Sequence, residues 1–424
     1  MTPFFPCAHA AHPLWQHATR QVIVQLHAQS SMQKLPPHQG LGLVYVSAAY
    51  APYAGEIIAA LSQAMPEVKH WVGSAVHSVL AGDLDYGHSG ALAVMLPMLA
   101  EDAYQVFSGV APWRPGALKQ QPQAALVHGD AASMDLALQL QTLMKHLRCE
   151  ALTGGICDLQ GTHAQWAWGG ANSAHIPASI GGGGVQVGGF SGVAFGPQVE
   201  LLSIGMKGCR ATGNMYTVTA AQEGAVLALD GRPALEVLFG QLDWHDTQVQ
   251  ADAAADKVWE RIQNTLVALS TPQAFGADAS VALATHVLPV VGVDPVRQAL
   301  LVEGAPRVGQ TLSVCLPDDL TVRNDARRAC AEVWEMLTPD MQAAAEGGPA
   351  SVARSICGAV YIRSQNRSAL PRTPQVDAEL QLIRHALGPV PLLGFTSTYE
   401  VQAGALQRMS AQLLVFTQPL HSLS

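Results

Sequence analysis

A chain of 424 residues exceeds what one ordinary hydrophobic core supports, so two domains are expected. Hydrophobic residues make up 49% and charged residues 13%, which excludes an intrinsically disordered chain. A net charge of -9 with no run of Lys or Arg excludes a nucleic-acid backbone as partner, and no apolar run approaches the ~20 residues of a membrane span.

At the N-terminus no basic leader precedes an apolar stretch, so no secretion signal is expected. Cys7, His9, His12 and His17 stand close together, but Pro6 and Pro13 interrupt the spacing a metal site would need. Residues 14–29 predict an amphipathic helix, and Pro36-Pro37 a turn. A first strand at 43–46 then leads to a helical face of Ala54, Ile58, Leu61 and Met65, with apolar runs at 68–73 and 91–96. The pattern returns after a proline-rich connector at 111–123: a strand at 125–128, a stripe of Leu136, Leu140, Leu143 and Leu147, then runs at 151–155 and 185–194. The Gly-dense tract 181–189 reads as a hairpin or close-packed strand, since no helix follows it to hold a phosphate.

Residues 216–220 and 225–229 form a hairpin pattern, with a domain border at about 228–230. A helix is expected to start at 232–238, strands over 281–289, 300–304 and 309–315, and a helix over 319–337. The third and clearest copy of the pattern follows: a strand at 359–362, a stripe of Val376, Leu380, Ile383 and Leu387, then runs at 390–395 and 413–416. In each copy an apolar run ending in Gly follows the helix. Such units resemble one another in any α/β protein as well as in an internal duplication. Either origin gives an α/β (α+β) fold with mixed β-sheets, packed helices and repeated β-α-β-β units in two domains.

Catalytic signatures are missing from the sequence. No Gly-x-Ser-x-Gly turn, P-loop or His-Glu-x-x-His occurs, and His77, His88 and His128 have no carboxylate or nucleophile at a recognisable spacing. No metal and no cofactor is expected. The seven cysteines are scattered without a Cys-x-x-Cys, which reads as buried, reduced thiols and a cytoplasmic protein. Polar residues do collect after the strands of the third copy: Ser364, Asn366 and Arg367 after the first, Tyr399 and Glu400 after the second. Facing one crevice, a guanidinium at 367 and a carboxylate at 400 would suit a zwitterion such as an amino acid. The same two side chains would otherwise pair with each other or with solvent.

Several of these stretches together resemble the FIST family. They are Gly208-Cys209-Arg210-Ala211-Thr212-Gly213, residues 229–238, Asn366-Arg367, residues 390–395 and Tyr399-Glu400, with Trp71-Val72-Gly73-Ser74 similar to the family's Gly-Cys/Ser turn. The resemblance spans about 35–417. It implies a helical extension at 1–36, an N-terminal FIST-like domain at 37–228, a C-terminal FIST-like domain at 229–418 and a tail at 419–424. It further implies a sensory module for signal transduction inside the cell, binding an amino acid or related metabolite through Ser364, Asn366, Arg367, Tyr399, Glu400, Ser74 and Arg210. With no output segment recognisable, a protein signalling partner is expected.

Two positions depart from the family pattern. Ser364 stands where Cys is common, in a loop that here lacks its Gly, and Tyr399 replaces the Gly before Glu400. An enzyme acting on amide bonds at the same crevice would instead need Ser364, Ser74 or Cys209 within hydrogen-bond reach of a base. A scaffold would present a low-charge, glycine-rich face to another protein.

Overall fold

The computed structural model describes residues 4–33, 40–109, 112–114, 116, 118–149, 151–161, 164–169, 185–186, 188–241, 265–272, 283–302, 306–338, 353–365, 367, 377–402 and 404–419. Its first unit comprises β1 (Cys7–Ala11), α1 (Trp15–Met32), β2 (Gly40–Ser47), α2 (Ala54–Ala64), β3 (Val68–Val76), β4 (Ser78–Ala81), β5 (Leu84–Asp85) and β6 (Ala91–Met95). The second comprises β7 (Tyr104–Phe107), β8 (Ala124–Asp130), α3 (Leu136–Leu147), β9 (Ala151–Cys157), β10 (Gln165–Gly169), β11 (Val185–Gln186) and β12 (Phe190–Phe195).

The third unit opens with β13 (Glu200–Lys207) and is interrupted by an insertion. That insertion holds β14 (Cys209–Gln222), β15 (Ala225–Leu229), β16 (Arg232–Pro233), α4 (Ala234–Gln241), β17 (Leu266–Pro272), β18 (Leu283–Asp294), β19 (Ala299–Val302) and β20 (Thr311–Pro317). The unit resumes with α5 (Asp319–Leu337), β21 (Arg354–Ser364), α6 (Ala378–Leu387), β22 (Leu392–Ser397), β23 (Tyr399–Gln402), β24 (Ala405–Gln407) and β25 (Ser410–Pro419).

Three six-stranded sheets share one plan: β1-β6-β2-β3-β10-β11, β7-β12-β8-β9-β23-β24 and β13-β25-β21-β22-β4-β5. In each, one parallel pair (β2 with β3, β8 with β9, β21 with β22) is flanked by antiparallel neighbours. The last two strands of every sheet come from another unit. The first unit lends β4 and β5 to the third, the third lends β23 and β24 to the second, and the second lends β10 and β11 to the first. This cyclic exchange closes the three units around a common centre.

The glycine after each helix has a steric reason. Gly73, Gly154 and Gly394 occupy equivalent places in the second parallel strand, and a Cβ there would fall 1.7, 2.0 and 2.0 Å from the carbonyl oxygens of Val44, Val127 and Tyr361. Real Cβ–oxygen contacts never come so close, so only glycine lets the paired strands approach.

The helices bury the expected faces. Ile58 and Leu61 of α2, and Leu380 and Ile383 of α6, are fully buried, each burial contributing about 1.5–3 kcal/mol. Leu140 and Leu147 of α3 are buried, while Leu136 and Leu143 of the same stripe are half-buried; Val376 lies outside the described residues. α5 and α6 pack side by side on β21 and β25 through Ala329, Val333, Ile383 and Leu387.

The insertion is an antiparallel barrel, β14-β20-β17-β18-β19-β15, closed by the pairing of β15 back to β14. Val218, Leu229, Val267, Leu269, Leu300, Leu312 and Val314 fill it together with Leu235 and Leu238 of α4. The border expected at 228–230 falls inside this barrel, at the Asp230-Gly231 turn between β15 and β16, where both residues have positive φ. Among the described residues no helix is long and apolar enough to cross a membrane.

Candidate functional site

β21 and β22 end side by side, with Ser364 opposite Ser397. After Thr398 the chain leaves the third sheet as β23 and pairs with β9, setting Glu400 opposite Gly155. Glu400 is therefore carried across the seam between two sheets and is fully buried. Ser397 Oγ lies 2.9 Å from its Oε1, while Ser410 Oγ and the Ser410 N–H reach its Oε2 at 2.8 and 3.3 Å.

Burial pushes the Glu400 pKa up to about 8, against the smaller lowering from Ser410, Ser397 and the Arg367 charge. Burial thus favours the neutral form of Glu400. Ser397 Oγ, which donates to Oε1, also stands 3.3 Å from the Arg363 carbonyl.

On the helix-facing side of the same strand ends lies a charge network. Arg363, almost fully buried, reaches Asp85 and Asp377 at 2.7 Å each and Glu379 at 3.5 Å. Asp377 is the N-cap of α6, accepting from the Glu379 and Leu380 N–H groups, and Arg363 outweighs burial to hold its carboxyl below the usual range. Arg367, also buried, donates its Nε–H to Glu379 at 3.0 Å and an Nη1–H to the Met206 carbonyl at 3.2 Å. Its Nη2 is buried with no hydrogen-bond partner among the described residues. Arg367 and Glu400 lie within electrostatic reach of each other.

A further set of polar side chains points from the sheets toward the centre. Tyr45 Oη and His128 Nε2 are 3.0 Å apart, and Ser191 donates to Gln165 Oε1 at 2.9 Å. Phe395 packs on the Tyr45 and His128 rings, using space that a Cβ on Gly155 would occupy. His77 Nε2 lies 2.8 Å from Thr398 Oγ1, which also accepts the Asp158 N–H at 2.9 Å.

Of the residues singled out from the sequence, the structure sets Ser364 beside Arg367 and puts Arg367 within electrostatic reach of Glu400, while Tyr399 packs against the core of the second unit. Ser364 is buried at the end of β21, and its carbonyl accepts the Arg367 N–H at 3.2 Å. Tyr399 is half-buried; its hydroxyl accepts from Arg408 Nη2 at 2.6 Å while the Arg408 guanidinium covers its ring at 4.4 Å. Asn366 lies outside the described residues. Two positions stand apart. Ser74 is inside β3 rather than in a turn, and its hydroxyl donates to the Ala75 carbonyl at 2.7 Å. Arg210 is exposed on β14, near Asp318.

Sequence reasoning passed over Glu379, Asp377, Ser397 and Ser410, and read Arg363 as the start of a polar loop and Asp85 as part of a surface loop, whereas both lie in strands with their side chains buried against each other. Only Asp377 carried a local helix-start signal, an Asp three residues before Leu380.

Residues 40–232 match the family model described as the FIST N domain, a family associated with signal transduction and small-ligand sensing. No curated protein matches the chain.

Proposed function

We propose that this protein is an intracellular sensory module that binds an amino acid or related small metabolite at the ends of β21 and β22 and signals through a partner protein. The reading takes 229–418 as the C-terminal partner of the FIST N domain. One observation carries it: a buried guanidinium whose Nη2 has no hydrogen-bond partner among the described residues lies within electrostatic reach of a buried acid whose pKa burial pushes up to about 8. A zwitterion supplies what both lack. Its carboxylate accepts from Arg367, and its ammonium draws the proton off Glu400, leaving an ion pair in a low-dielectric interior.

Uptake also has a route to a response. The ligand carboxylate on Nη2 shares the Arg367 guanidinium with Glu379 on Nε, and Glu379 sits in the first turn of α6. Weakening that pair loosens the tie between β21 and the helix, which is a change a partner can read.

A thermal-shift screen of amino acids and small carboxylates tests this. At least one amine-bearing acid is expected to raise the Tm of the wild-type chain, with the shift abolished in Arg367→Ala and in Glu400→Gln. Glu400→Gln keeps the size and polarity of the side chain and so guards against loss of fold as the cause. No shift from any compound, or an equal shift in Glu400→Gln, contradicts the proposal.

A further inference from the structure

Two sulfur atoms outside the site meet where the barrel joins the body. β14 pairs with β20 so that Ala211 faces Cys315, which places Cys209 diagonally across from Cys315 on the same face of the ladder. The two free thiols are buried together among Leu266, Ala268, Val287 and Met409. This cluster adjoins both halves of the site. Gly208, directly before Cys209, is packed so closely that a Cβ on it would lie 3.0 Å from Arg367 Cγ, 3.1 Å from its Nη1 and 2.3 Å from the Met409 carbonyl oxygen. Met409 in turn precedes Ser410, which holds Glu400.

We propose that Cys209 and Cys315 are a reversible oxidation site, closing to a disulfide in the presence of a small peroxide and shifting Gly208 against Arg367. The step balances with hydrogen peroxide as oxidant. The Cys315 sulfur attacks one peroxide oxygen, the O–O bond breaks, and water leaves as Cys315 becomes a sulfenic acid. The Cys209 sulfur, giving up its proton, then attacks the Cys315 sulfur and expels the second water. Two thiols are oxidised and one peroxide becomes two waters.

The surroundings favour this order of events. Cys209 beside it lowers the Cys315 pKa, and Lys207 adds positive charge nearby. Closing the bond also moves the backbone: diagonal partners stand about 7–8 Å apart, whereas a disulfide spans Cα atoms about 4.4–6.8 Å apart. β14 is drawn toward β20 at Cys209, and Gly208 follows. None of this depends on the identity of a ligand or on the sensor reading.

The test treats the full chain with hydrogen peroxide, quenches it, alkylates the remaining thiols in denaturant and maps the peptides by mass. A peptide linking Cys209 to Cys315, lighter by two hydrogens and reopened by dithiothreitol, is expected, with no such link in Cys315→Ser. Hydrogen exchange at 205–210 is expected to change on oxidation. Full alkylation of both thiols, sulfinic acid in place of the link, or unchanged exchange at 205–210 overturns the proposal.

Discussion

Arg363→Ala is expected to destabilise the chain by about 3–5 kcal/mol, the cost of breaking a buried ion pair by removing one partner. The figure follows from what stays behind. Asp85, Asp377 and Glu379 have side-chain exposures of 10%, 17% and 6%, so water cannot easily replace the lost guanidinium. Each retains some support: Asp85 keeps the Ser78 hydroxyl and the Gly87 N–H, Asp377 still caps α6, and Glu379 still meets Arg367. Three negative charges nevertheless face one cation in place of two. Arg363 helps hold the Asp377 carboxyl below its usual range, and that contribution is lost as pH falls, so the gap between Arg363→Ala and wild type should narrow at acid pH. Arg297→Ala serves as contrast: its pair with Asp294 is exposed, and its loss should cost less than about 1 kcal/mol. Urea titrations of the three proteins at about pH 3.5 and pH 7 check both statements.

The second large effect concerns pH. Glu400 has a folded pKa of about 8 against 4.5 for a free glutamate. Between those values the folded chain holds a proton that the unfolded chain has released. Stability from this group is therefore complete below about pH 4.5, falls as pH rises toward 8, and is lost above it. The loss is on the order of 5 kcal/mol. His9 and His70 act in the opposite sense, since burial lowers their pKa and stability rises as they lose protons. They cancel when wild type is compared with Glu400→Gln. The variant should match wild type near pH 5 and exceed it at pH 9; equal slopes in urea midpoint against pH would contradict a neutral Glu400.

Much of the architecture was legible because it is local. Apolar stripes at helical spacing placed α2, α3 and α6, and the Gly closing each following run marked Gly73, Gly394 and Gly155, beside which Gly154 is the position where no side chain fits against the neighbouring strand. The hairpin at 216–229 and the helix at 319–337 appear where their patterns put them. What the pattern could not convey is which sheet a strand joins. β4 has the same alternation whether it pairs within its own unit or, as it does, with β22 more than 300 residues away. The barrel's closure is of the same kind, since β14 and β15, joined as a hairpin, pair on their other sides with β20 and β19 far along the chain.

The site divides along that line too. Arg367 and Glu400 stood out as polar residues at strand ends. Their surroundings did not, because Glu379 joins Arg367 through α6 and Ser410 reaches Glu400 from a strand ten residues on. Arg363 was hidden by its place next to an apolar strand, and its partner Asp85 lies 278 residues away.

The most direct measurement is a proton count on ligand uptake. Calorimetric titration of the compound giving the largest thermal shift, repeated in buffers of differing ionisation enthalpy at pH 7, reads the protons exchanged per molecule bound. Glu400, neutral when empty and ionised against an ammonium, should release about one proton, with affinity rising from pH 6 to pH 8. Glu400→Gln should release none. Tight binding without proton release, unchanged in that variant, would mean that the buried acid takes no part in recognition.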